Sequence, residues 1–159
     1  MSNEAAMKFG SLTTVISHAA TLTSGSNTYD GGSTTVAELD NSVNLYPYGL
    51  ATLTWPTAWS VAPAAGSTID LYGYITQGAD GAAESPVAAG TSDVPGGTKF
   101  FGSFVMEDVT AAGSRSIVIS LEGVQKAKFL IKNSTAQSLV YSATPITVKI
   151  KPFTYAPAA

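Results

Sequence analysis

A chain of 159 residues is the size of one domain and can bury about 70% of its unfolded surface in a single core. Only 12% of the residues are charged, the net charge is −3 and cysteine is absent, which excludes disulfides and thiolate metal sites and argues against nucleic acid as a partner. No apolar run approaches the ~20 residues of a membrane-spanning helix, so no membrane contact is expected, and the wealth of Gly, Ala, Ser and Thr suits short strands and tight turns.

The opening, MSNEAAMKFG, is small and polar and reads as a mobile arm over 1–10. It lacks the basic-then-apolar layout of a signal peptide, so synthesis in the cytoplasm is expected. Residues 11–155 read as one β-sandwich domain. Leu12 to Ile16 and Ala20 to Thr23 are Thr-rich and β-prone, and Ser17-His18-Ala19 is placed to join them as a hairpin. Two turn clusters follow, Ser24 to Asn27 and Asp30 to Ser33, then a short strand from Thr34 to Leu39 that Asp40-Asn41 closes.

Tyr46-Pro47-Tyr48-Gly49 leads into Leu50 to Trp55, where Ala51, Leu53 and Trp55 share one side; Pro56 stops the run because it has no amide for a ladder. Thr68 to Thr76 is the clearest strand of the first half, with Ile69, Leu71 and Ile75 inward and Thr68, Asp70, Tyr72 and Tyr74 on the other face. Gln77 to Gly97 has almost no large apolar residue, and its span over 78–97 reads as a projecting loop. Lys99 to Met106 is the next strand, with Phe100, Phe104 and Met106 expected on one face.

From Arg115 to Tyr155 four strand-like runs lie in about forty residues. Ile117, Ile119 and Leu121 alternate with small or polar neighbours. Ala127, Phe129 and Ile131 alternate with Lys128, Leu130 and Lys132, and Ile146, Val148 and Ile150 with Thr147, Lys149 and Lys151. A third run spans Ser138 to Ala143, after the Asn133-Ser134-Thr135 triplet, which reads as a turn. Leu53, Leu71, Ile75, Phe104, Ile119, Phe129, Ile131, Val148 and Ile150 are the expected core. The count is eight or nine strands at roughly ten-residue spacing. The expected fold is all-β, an antiparallel two-sheet sandwich of jelly-roll type, with an immunoglobulin-like sandwich as second choice.

Catalytic chemistry finds little support. His18 is the only histidine and has no acid near it in sequence, so a triad lacks its parts. One His and no Cys give no transition-metal set, and no loop follows a calcium-binding pattern. Catalytic, cofactor and metal residues are therefore expected to be none. Paired carboxylates of a glycosidase sit in no recognisable motif. More informative are the aromatics: Trp55, Trp59, Tyr72 and Tyr74 suit a sugar-binding face if exposed, and a core if Trp55 follows its alternation inward.

Charge is uneven. Residues 9–98 hold seven acids and no Lys or Arg, whereas from Lys99 onward seven basic residues face three acids. Lys128, Lys132, Lys149 and Lys151 read as a solvated, edge-protecting face, and as one lysine-rich patch available to a neighbouring acidic patch in a cyclic oligomer.

The last strands, KFLIKN (Lys128 to Asn133), SLVYSA (Ser138 to Ala143) and TVKIKPFTY (Thr147 to Tyr155), resemble those of small Ala/Gly/Thr-rich virion proteins of tailed bacteriophages. The resemblance covers roughly the last thirty residues and rests on pattern. It implies a non-enzymatic β-sandwich of the particle, of the capsid decoration (cement) type, that binds the shell and itself, as a trimer. Its partners are then the major capsid protein or other virion proteins, and its location the virion. A carbohydrate-binding or receptor-binding module of a tail, using Trp55, Trp59 and nearby tyrosines, is the alternative.

Overall fold

The computed structural model describes residues 6–28, 38–76 and 97–156. All but the last residue of the expected 78–97 loop lies outside the described residues, as does most of the run from Thr34 to Leu39. The chain is all-β among the described residues, with ten strand segments. These are β1 (Ala6–Phe9), β2 (Thr13–His18), β3 (Asn27–Thr28), β4 (Glu38–Asp40), β5 (Tyr48–Trp55), β6 (Thr68–Thr76), β7 (Lys99–Val105), β8 (Gly113–Ser120), β9 (Lys126–Asn133) and β10 (Ile146–Ala156).

The first sheet runs β10-β5-β8, with β1 and β2 both along the free side of β10; the second runs β9-β6-β7, with β3 and β4 both along the free side of β9. Counting each split edge as one, the eight positions run 1-8-3-6 in one sheet and 2-7-4-5 in the other, every pairing antiparallel. This order, in which a long hairpin is rolled so that its two halves lie in both sheets, is the jelly roll.

The interior follows from the period of two. Ala51, Leu53 and Trp55 of β5, Ile69 and Leu71 of β6, Ile119 of β8, Phe129 and Ile131 of β9, and Val148 and Ile150 of β10 form one buried cluster, with Ile75 packed at its margin. Each expected core residue is thus inside.

Two bulges break the simple alternation. On β2 the register slips opposite Val148/Lys149, and both Val15 and Ile16 are buried. On β7 it slips at Phe101, between Gly102 opposite Leu71 and Phe100 opposite Tyr72. Phe100 therefore points out and Phe101 in, the reverse of strict alternation. Gly102 makes the slip feasible. Its φ of 153° and an added Cβ only 2.9 Å from Ile117 Cδ1 both disfavour a side chain there.

Other expectations are corrected. Ala6–Phe9, inside the expected arm, forms a strand against β10. Ser17-His18-Ala19 makes no hairpin, because β2 pairs with β10 and Leu22 instead bridges to Leu139. Ser138 to Ala143 forms only isolated bridges, and Ala143 takes a left-handed φ of 61° that ends regular pairing. That run is held at Leu139, whose backbone exchanges hydrogen bonds with Leu22; the bend before it is fixed by Asn133, fully buried. Its Nδ2 donates to Leu22 O and Gln137 O, and its Oδ1 accepts from the Thr135 amide and hydroxyl.

His18 ends β2 opposite Ile146 with its ring buried. Burial holds its imidazole below the ordinary histidine range, and a weaker backbone hydrogen bond at Thr21 opposes this. A group whose folded-state pKa is depressed binds protons more readily when unfolded. Stability should therefore be level above about pH 6.5, the free histidine value, and fall as the pH drops below it. Melting temperatures between pH 8 and 5 check this: the parent should lose more than His18→Gln, and equal slopes would remove His18 as the cause.

Candidate interaction surface

The structure disperses the residues singled out in the sequence. Trp55 and Trp59 are each 3% exposed and belong to the core, so neither can stack on a ligand. Trp55 Nε1 donates to Ala111 O at 3.0 Å, the Arg115 guanidinium lies 5.7 Å from its ring, and the Trp59 amide donates to Thr110 O. Tyr72 and Tyr74 lie on the outer face of the second sheet. Tyr72 meets Phe100 at 5.3 Å, and burial, then Asp70, pushes its phenol up; Tyr74 is buried. Leu130, expected on the polar face of β9, is also buried on that side, opposite Tyr72.

The lysines are likewise divided. Lys128 and Lys132 project from β9 and Lys149 and Lys151 from β10, strands of different sheets whose outer sides point away from each other. A single lysine-rich patch is not formed.

What the fold assembles instead is an apolar region at one end. Tyr48, Phe153 and Phe9 stand side by side across β5, β10 and β1, and Tyr155 is next along β10, opposite Met7. Tyr48 stacks on Phe153 at 5.6 Å, Phe9 tilts against Phe153 at 6.0 Å, and Tyr155 meets Tyr48 and Phe153 edge-on at 6.1 and 5.8 Å. Only Phe153 is buried; Tyr155 is 58% exposed, with Met7 and Phe9 nearly as open. Leu50 and Val118, paired one step further along the same face, are exposed too. The Lys151 ammonium sits 4.5 Å from the Phe9 ring centre, a cation–π contact at the patch rim.

The loop entering β5 exposes further apolar side chains. Asn41 is buried and acts as its clamp: its Nδ2 donates to Tyr46 O at 2.9 Å and Val124 O at 3.0 Å, and its Oδ1 accepts from the Tyr46 amide at 2.9 Å. Asn41 N–H donates to Gln125 O, and Leu45 N–H to Asn41 O. Asp40 adds an Asx turn through the Ser42 amide and hydroxyl. Those bonds, ahead of Lys126, hold the Asp40 carboxyl below its usual range; Glu38, then Asp40, raises the Lys126 ammonium, which lies 3.3 Å and 3.7 Å from their carboxylates.

Thus fixed, the loop presents Val43, 88% exposed, and Leu45, 56% exposed in a left-handed φ of 47°. A branched residue rarely adopts that conformation without surroundings that impose it. Gly10 packs against the loop: its N–H donates to Pro152 O, and a Cβ there would stand 2.8 Å from the Tyr46 ring.

Charge sharpens the picture. The five segments of the first sheet contain Lys8, Arg115, Lys149 and Lys151 and not one Asp or Glu. Arg115 pairs with Glu107 at 2.7 Å, outside the sheet; among the described residues Lys149 and Lys151 have no carboxylate in ion-pair range. A flat apolar face rimmed by lysine and hydroxyl groups has the make-up of a protein contact surface, where aromatics and Met are enriched and acids depleted. The cleft between Gly10, Asn41, Tyr46 and Pro152 holds about 100 Å³, below the ~300 Å³ of ordinary ligand sites. No group of three or more His, Cys, Asp or Glu among the described residues is placed to hold a metal ion.

Sequence reasoning passed over Phe9, Asn41, Val43, Leu45, Phe153 and Tyr155. A signal existed for two of them, since Phe153 and Tyr155 continue the polar register of Lys149 and Lys151 and so face outward. The clamp role of Asn41 had none. Comparison with protein-family models gives no match, and a search of curated proteins finds no significant relative.

Proposed function

We infer that the chain is a non-enzymatic structural protein of a virus particle, a decoration (cement) protein that binds the shell surface and associates with itself. The observation that carries this reading is exposed apolar surface: an aromatic cluster open to solvent on the outer face of the first sheet, and a clamped loop that exposes Val43 and Leu45. Such a surface is costly to leave in water and fits a protein that works by being covered. The jelly roll adds weight by analogy, since viral shell domains use it, although lectins share it.

Gradient-purified particles from the source of this sequence provide the test. The chain should co-purify with them at a fixed ratio to the major shell protein. Its absence from the particles, with abundance in the lysate, would end the reading. A glycan-binding module is the second reading, favoured by the exposed rings of Phe9 and Tyr155. It must now do without Trp55 and Trp59, and a glycan array decides it.

A further inference from the structure

We propose that the outer face of the first sheet, centred on Phe9, Tyr48, Leu50, Val118 and Tyr155, docks onto a protein surface that carries carboxylates beside apolar side chains, and not onto the same face of a second copy. The proposal rests on the decoration reading, in which that partner is the shell.

The charge of the sheet decides between the two occupants. With Lys149 and Lys151 on its outer side and no acid in any of its strands, two copies meeting face to face about a two-fold axis would bring lysine against lysine. Like charges brought together at an interface oppose it strongly, and no described residue of the sheet's strands supplies the missing acid. A partner bearing Asp or Glu removes the conflict, because Lys149 and Lys151 then gain ion pairs around an apolar centre that excludes water. Self-association, where it occurs, uses other surfaces. Among the described residues four of the six acids are engaged: Glu38 and Asp40 with Lys126, Glu107 with Arg115, and Asp70 with the Ser103 and Ser134 hydroxyls.

The test uses the full chain and particles assembled without it as the probe. Leu50→Glu/Val118→Glu places acids in the apolar centre, and Lys149→Glu/Lys151→Glu reverses the rim. All four side chains point out of the sandwich, so melting temperatures should stay near the parent's and show that each variant is folded. Co-sedimentation of the parent with particles should saturate. The centre variant should bind at least about tenfold more weakly and the rim variant several-fold more weakly, with less salt sensitivity. Sedimentation velocity of each protein alone should show the parent's oligomeric state.

If parent and variants bind particles equally well, another face docks and the proposal fails while the decoration reading stands. If the variants lose self-association instead, the occupant is a second copy and the proposal is overturned. Loss of binding on a glycan array by the same variants would assign the face to a sugar. A parent that never binds particles overturns both readings.

Discussion

Phe129→Ala is expected to remove about 3–5 kcal/mol of stability, a large share of the roughly 5–15 kcal/mol that a domain of this size has. Phe129 is fully buried at the middle of β9, where its ring meets Phe101 at 5.1 Å. It lies opposite Gly73, whose missing side chain leaves the ring its room: an added Cβ would stand 3.2 Å from Phe129 Cδ1. Truncation leaves a void between two sheets whose register is fixed on both sides of β9, so the site has little freedom to collapse. Chemical denaturation checks it. A variant that unfolds at nearly the parent's denaturant concentration would mean that the core is not organised about this strand.

Asn41→Ala should cost about 2–3 kcal/mol, because Tyr46 O, Val124 O and the Tyr46 amide lose their partner together. Its second effect distinguishes it from an ordinary destabilising change. Without the clamp the 41–46 loop no longer holds Leu45 in its left-handed conformation, so particle binding should weaken even at temperatures where the variant is fully folded. Asn41→Asp keeps the oxygen acceptor but sets a buried carboxylate against Tyr46 O and Val124 O, and should be at least as disruptive as Asn41→Ala in both measurements at neutral pH. Unchanged binding by a folded Asn41→Ala protein would show that the loop shape does not matter for contact.

Much of the fold was legible because burial on one face imposes a period of two, and β5, β6, β9 and β10 keep it. The misreadings fall where another force acts. At Phe100 and Phe101 a bulge shifts the register, and the Gly102 that permits it looks in sequence like any strand glycine. Leu130 shows that the outer face of a strand need not be wet. Ser138 to Ala143 alternates well yet pairs only at Leu139 with Leu22, and Ala143 in a left-handed φ turns the chain before a ladder can extend.

The site was harder to foresee than the fold. Trp55 and Trp59 drew notice as large aromatics, but the same size that suits a ligand platform also suits a core, and the core took both. The residues that form the exposed aromatic cluster come from β1, β5 and β10, far apart in sequence and joined only by the jelly-roll order. The division of the lysines has the same origin. β9 and β10 are neighbours in sequence and members of different sheets, so their outward lysines part company.

The most direct test of the account is an electron-microscopic reconstruction of the intact particle at side-chain resolution. It should show this jelly roll on the shell, with Val43, Leu45, Phe9 and Tyr155 buried in a protein contact and Lys149 or Lys151 near a carboxylate of the shell protein. Density for the chain with that end turned to solvent, or no density for it at all, would contradict the account.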